Sequence, residues 1–200
     1  MQISWSGYGC FRLQDNNVSV IFDPVYAESN FKLRKTNSDL LLLSRKQTKE
    51  DLACVSDNTF VIDSPGEYEF KGVFVNGLSY NHSSIVYWLD MGTITVAWMG
   101  PAKAKDLSPE LLEKIEGVDV LILPVGGGGL MTAKEAATMI NQIEPRIVIP
   151  AYTKISGSKG LEAVDPFLKE YGAKHETIDK LKITKKDVMA EDTRVVVLTV

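Results

Sequence analysis

Side chains suited to acid–base or metal chemistry are scarce in this sequence. It has two histidines, His82 in Tyr80-Asn81-His82-Ser83 and His175 in Gly172-Ala173-Lys174-His175, and two cysteines, Cys10 and Cys54, far from any Cys-x-x-Cys pattern. The cysteines read as reduced, buried thiols and His175 as a solvent-exposed residue between a helix stop and a strand. Positive charge is what clusters: residues 31–49 hold Lys32, Arg34, Lys35, Arg45, Lys46 and Lys49 against one acid, Asp39. A guanidinium presents a planar fork to carboxylate or phosphate and an ammonium a point charge, so the segment reads as an anion site or as a solvated basic loop. Gly126-Gly127-Gly128-Gly129 lies between an apolar run and a helical pattern, where backbone N–H groups can face an anion. It lacks the Gly-x-Gly-x-x-Gly spacing and a Lys-Ser/Thr ending, which argues against a nucleotide.

The elements that carry these residues follow from composition and pattern. At 200 residues, 44% hydrophobic and 24% charged, the chain has the make-up of a soluble globular protein, expected as a single domain over 1–200. That balance excludes intrinsic disorder, collagen-like repeats and a disulfide scaffold. With 22 Lys and Arg against 26 Asp and Glu, the net charge is −4, so no nucleic-acid partner is expected. No apolar run reaches ~18 residues and the N-terminus shows no cationic stretch before an apolar core, so no membrane partner and a cytoplasmic location are expected. Nothing in the sequence fixes a symmetry, and a homo-oligomer stays open.

Short β-branched and aromatic runs separated by Gly, Asn, Asp and Pro predict strands at Met1–Trp5, Cys10–Leu13, Val18–Phe22, Asp39–Leu43, Thr59–Ile62, Val73–Leu78, Ile85–Leu89 and Ile94–Met99. Beyond Met99 three helices alternate with apolar strands at Val118–Leu123 and Ile147–Ile149. Ser108-Pro109 opens the first helix, the capping box Thr132-x-x-Glu135 the second, and Asp165-Pro166 the third, which Gly172 ends. The class is α/β (α+β).

Taken in order, the loops read Trp5-Ser6-Gly7-Tyr8-Gly9-Cys10-Phe11, Ile21-Phe22-Asp23-Pro24, Leu41-Leu42-Leu43-Ser44, Pro65-Gly66-Glu67-Tyr68, Gly100, Leu123-Pro124-Val125-Gly126-Gly127 and Ile147-Val148-Ile149-Pro150. Over nearly the whole chain that succession resembles the metallo-β-lactamase superfamily, in its small branch of Zn-dependent hydrolases related to L-ascorbate 6-phosphate lactonase. The resemblance implies a four-layer αββα sandwich. It also implies a metal motif, His-x-His-x-Asp-His after a strand ending in Ser or Thr, that binds zinc and generates a hydroxide.

Here Ser44 is followed by Arg45-Lys46-Gln47-Thr48-Lys49-Glu50. The histidine positions of the motif fall on Arg45, Gln47 and Glu50, and its aspartate on Lys49. Pro101 replaces the family's aspartate after Gly100, while Tyr8 and Tyr152 stand where histidines are usual, and His82 alone keeps its residue type. Arg does not deprotonate and Lys does so only after a large pKa depression. Each such cation ~6 Å from a dication opposes binding by about 5 kcal/mol at an effective dielectric of ~20. Zinc, the family's cofactor, is therefore not expected, and no metal ligand is assigned.

Two functional readings follow. In the first the chain is a pseudo-hydrolase or anionic-ligand-binding module, with Arg45 and Lys49 standing in for the metal's charge. In the second it is a hydrolase or lactonase acting on a small anionic substrate, metal-free or with an atypical weak metal site of Glu50, His82 and Tyr152. Tyr8, His82 or Glu50 then serves as acid or base and Arg45 stabilises the oxyanion. Asp23 matches an acidic position near the family's site, although Asp-Pro after a strand is also ordinary turn chemistry. Tyr8 and Tyr152 either donate hydrogen bonds into the former metal pocket or fill its space.

Overall fold

Most strands form where branched and aromatic residues dominate the sequence. The structure, a computed structural model, describes residues 1–15, 17–24, 35–48, 51–81, 83–190 and 192–200. The first half is a meander of β1 (Gln2–Trp5), β2 (Phe11–Asp15), β3 (Val18–Phe22), β4 (Leu40–Leu42), β5 (Phe60–Ile62), β6 (Gly66–Phe70), β7 (Val73–Asn81), β8 (Ser84–Asp90) and β9 (Thr95–Trp98). The second half alternates α1 (Pro109–Ile115), β10 (Val120–Pro124), α2 (Ala133–Ile143), β11 (Ile147–Ala151) and α3 (Asp165–Tyr171), then closes with β12 (His175–Ile178), β13 (Lys180–Lys182) and β14 (Arg194–Leu198).

Among the described residues these strands make two mixed sheets, a six-stranded one in the order β13-β1-β2-β3-β4-β5 and an eight-stranded one in the order β12-β14-β11-β10-β9-β8-β7-β6. Strands β3, β4, β10 and β11 are buried at every position, as the unbroken apolar sequences of β4, β10 and β11 require; in β3 the polar Ser19 is buried and paired with Asp39. The sheets face each other across a core that includes Phe11, Phe22, Tyr87, Trp98, Ile122 and Ile149. Helices α1 to α3 cover the outer face of the larger sheet through residues such as Leu111, Leu112, Ile115, Met139, Ile140 and Phe167. Over the outer face of the smaller sheet, the described residues place a single 3-10 turn, Asp51–Cys54, above Cys10, Ile21, Leu41 and Leu43. This is the αββα arrangement.

The helix starts match the caps in the sequence. Ser108 Oγ accepts from the Leu111 N–H, and Thr132 and Glu135 form the reciprocal capping box of α2. Strands β6, β13 and β14 go beyond the sequence expectation. Strand β6 alternates exposed Glu67 and Glu69 with Tyr68 and Phe70 at a sheet edge, so it carries no apolar run to read.

Polar ties cross between the sheets. The Tyr87 hydroxyl, on β8, donates to the carbonyls of Leu43 (2.9 Å) and Ile62 (3.0 Å) beside β4 and β5. At the open edge, Lys71 Nζ lies 2.7 Å from Asp39 Oδ1, while the Ser19 N–H and hydroxyl both donate to Asp39 Oδ2 at 2.9 Å. The Lys71 bond, ahead of the Ser19 donors, holds the Asp39 carboxyl down at about 2. A carboxyl acid lowered on folding adds stability above its unfolded pKa of about 4, and that contribution drains away as pH falls through 2. Urea titrations from pH 5 to pH 2 should therefore show a steeper loss for the wild type than for Asp39→Asn; parallel curves would show that Asp39 contributes nothing to the acid limb.

Candidate functional site

The parallel strands of both sheets end along one edge of the sandwich, which is where open sheets present loops to ligands. Asp23 follows β3 with φ of 35°, a left-handed conformation that a short polar side chain tolerates. Its N–H continues the ladder to the Leu42 carbonyl (3.1 Å), while its side chain turns into the space between the sheets. There Oδ1 accepts from the Ser44 N–H (2.8 Å), and Oδ2 accepts from the Ser44 hydroxyl (2.5 Å) and from Trp98 Nε1 (3.0 Å). Both oxygens are occupied by donors from the ends of β4 and β9. Burial pushes the Asp23 carboxyl up, and the Ser44 and Trp98 bonds and the Arg45 charge only partly pull it back.

Ser44 is fully buried, and the backbone beside it leaves no room for a side chain. Gly100 has φ of 58°, and a Cβ built there would lie 2.7 Å from Ser44 Cβ and 2.8 Å from Ser44 Oγ. The glycine after β9 is thus fixed by the Asp23–Ser44 pair. Trp98 carries the aromatic floor: Phe11 and Phe22 pack at centroid distances of 5.5 and 5.7 Å, and Tyr152 stacks at 5.9 Å with an interplanar angle of 11°.

Tyr152, at φ 53°, is only 1% exposed, and its N–H bonds to the Tyr8 carbonyl (3.2 Å). Its hydroxyl end lies against Gly9, where an added Cβ would collide with it. Tyr8, at φ 49° and 4% exposed, also accepts from Trp5 Nε1 at 3.1 Å through its carbonyl. Gly126 completes this wall, since a Cβ there would run into the Tyr152 carbonyl. The two tyrosines therefore fill space and lock the loops after β1 and β11 together.

Residues 45–48 alternate between half-buried and exposed: Arg45 and Gln47 are half-buried, Lys46 and Thr48 exposed. Arg45 forms an isolated antiparallel bridge with Ser84. Its charge acts on Asp23 inside and on Tyr80 outside, whose hydroxyl bonds to the Ser84 side chain and whose pKa burial pushes up. Gln47 Oε1 and Nε2 are both buried and have no hydrogen-bond partner. Lys49, Glu50 and His82 lie outside the described residues, as do Lys32 and Arg34. His175 begins β12, away from this edge, and is exposed. Cys10 is buried under the 3-10 turn, where desolvation pushes its thiol up and leaves it inert.

Asp23, Arg45, Tyr8 and Tyr152 are thus brought to one site, and Ser44, Tyr80 and Trp98 join them without having been singled out as candidates. The described donors do not suit zinc: Asp23 is buried and is the one carboxylate among them, Tyr152 is stacked on Trp98, and Arg45 carries a positive charge. Among the described residues no group of three His, Cys, Asp or Glu side chains converges on a point.

Comparison with known proteins identifies the scaffold. A family model described as a beta-lactamase superfamily domain matches residues 2–152. The UPF0173 protein of Pyrococcus furiosus is 27% identical over 177 residues, 76% of this chain and 83% of that protein. The UPF0173 metal-dependent hydrolase of Natranaerobius thermophilus is 25% identical over 188 residues, 76% of this chain and 83% of the relative. A solved structure from Thermotoga maritima, described as a candidate Zn-dependent hydrolase of the metallo-beta-lactamase superfamily, superposes with a TM-score of 0.85 at 28% identity, covering 98% of this chain and 97% of that one. The isothiocyanate hydrolase from Delia radicum gut bacteria shares the fold alone, with a TM-score of 0.64 at 10% identity over 98% of this chain and 96% of that one.

The Asp23 joint makes a stability prediction. Ser44→Ala removes a hydroxyl donor from a buried carboxylate and should cost about 2–3 kcal/mol in chemical denaturation near pH 7; a loss within error would show that Ser44 does not hold Asp23.

Proposed function

The chain belongs to the beta-lactamase superfamily, and we propose that it is a pseudo-hydrolase of that family, binding a small anionic ligand without a catalytic zinc ion. The observation that carries the reading is Arg45, a residue at a metal-ligand position of the resemblance, held half-buried at the strand-end edge by its backbone bridge to Ser84, with its charge acting on the buried Asp23 carboxyl. A guanidinium there supplies permanent positive charge in a partly desolvated setting, where a charge-assisted bond to carboxylate or phosphate is stronger than at an open surface. Lys49 adds a second cation in this proposal. Asp23 acts as the floor of the site, since its oxygens are committed to Ser44 and Trp98. We place the protein in the cytoplasm as part of the same reading; no helix among the described residues is long and apolar enough to cross a membrane.

A second reading, supported by the hydrolase descriptions of the relatives, keeps catalysis on a small anionic substrate. There Arg45 faces the developing oxyanion and Tyr8, Glu50 or His82 moves the proton. Of these, Tyr8 is buried in the loop wall, which weighs against it as a proton carrier.

Protein purified without chelator should hold substoichiometric zinc by mass spectrometry, and stoichiometric zinc would refute the proposal. Calorimetry with inorganic phosphate and with glutarate should find binding that Arg45→Met weakens by roughly tenfold or more, the loss of one charge-assisted contact. Unchanged affinity would remove Arg45 from the site, and turnover of lactone, phosphodiester or thioester panels would favour the enzyme.

A further inference from the structure

The side chain of Gln47 is out of keeping with the rest of the interior. Its carboxamide offers two N–H donors and an oxygen acceptor, and neither end has a partner although both are shielded from water. Buried polar atoms in folded proteins are paired in the great majority of cases, because desolvating them without compensation opposes folding. Elsewhere in this edge of the molecule the rule is kept: Asp23 has three donors, Tyr87 bonds to two carbonyls, and Ser44 donates through both its N–H and its hydroxyl.

Its position gives the exception meaning. Arg45 is in an extended bridge with Ser84, and the burial alternates from 45 to 48 as it does along an extended chain, where residues two apart share a face. Gln47 therefore lies on the same face as Arg45, about 7 Å further along the backbone. Lys46 and Thr48, on the opposite face, are exposed.

We propose that Gln47 is a ligand-binding residue which, with Arg45, forms a two-point site for a small molecule carrying an anionic group and an amide-type edge. The anionic half rests on the function proposed above. The amide half is set by Gln47 itself. A second carboxylate could accept from the Gln47 N–H group, but at neutral pH it has no proton for the Gln47 oxygen. A primary or secondary amide, a lactam or an imide presents a donor beside an acceptor and satisfies both ends of the carboxamide at once. The ligand class is therefore an acid amide rather than a dianion of equal size.

The test uses glutaramate and glutarate, which differ by replacement of one carboxylate with an amide, titrated calorimetrically into the full chain near pH 7. The wild type should bind glutaramate roughly tenfold tighter than glutarate, about the value of one satisfied hydrogen-bond pair. Gln47→Met should abolish that preference by weakening glutaramate more than glutarate, and its thermal midpoint should equal or exceed that of the wild type, because an unpaired buried amide has been removed. Arg45→Met should weaken both ligands. A wild type without preference, a Gln47→Met variant that keeps it, or a Gln47→Met midpoint several degrees lower would overturn the role of Gln47 and leave the anion reading standing. An Arg45→Met variant that binds both ligands like the wild type would overturn the anion reading, and with it the two-point site.

Discussion

A carboxylate buried between two sheets has to be given donors by the chain around it, and Asp23 is given them by residues remote in sequence. Trp98 lies 75 positions away and Ser44 lies 21 positions away, yet their N–H and O–H groups end on the same two oxygens. The arrangement requires β3, β4 and β9 to stop at one level, so it fixes where both sheets end. It also dictates the empty backbone of Gly100 and orients the indole on which Phe11, Phe22 and Tyr152 pack. The site is an outcome of this joint.

Around the joint the family scaffold is intact, and in our proposal its chemistry is altered. The family model spans residues 2–152, and the sheets superpose on the Thermotoga maritima structure with a TM-score of 0.85. Tyr152 and Tyr8 close the loops over Trp98 by stacking and backbone bonds. In our proposal Arg45 and Gln47 then offer the site a permanent charge and an amide, groups suited to recognising a ligand and poorly suited to holding a dication. In our account, binding energy that a metal would direct toward an anionic substrate is supplied by fixed side chains.

The extent to which this could be read from the sequence depended on whether each interaction was local. Strands built from β-branched runs, such as Val18–Phe22, and helices announced by Ser108-Pro109 or Thr132-x-x-Glu135 were legible because their signals lie within a few residues. Strand β6 was not, since an edge strand with one wet face needs no apolar run, and β13 is three residues long with lysines at both ends. In the site, Asp23, Arg45, Tyr8 and Tyr152 were visible as residues in strand-end loops. The partnership of Asp23 with Trp98 was not, because nothing local in Ala97-Trp98-Met99 marks an indole as a hydrogen-bond donor. Gln47 was noticed only as the replacement for a histidine; its unpartnered carboxamide is a property of the folded chain. Tyr80 gained its place only through the Arg45–Ser84 bridge.

The central claim is that this site is chemically closed to divalent metal and open to anions. Crystals grown with excess zinc and measured across the zinc absorption edge put it to the most direct test. The account predicts no ordered anomalous peak within coordination distance of residues 45, 47, 49, 50, 82 and 152, whatever zinc decorates the surface. A fully occupied zinc ion bound by these residues would contradict it.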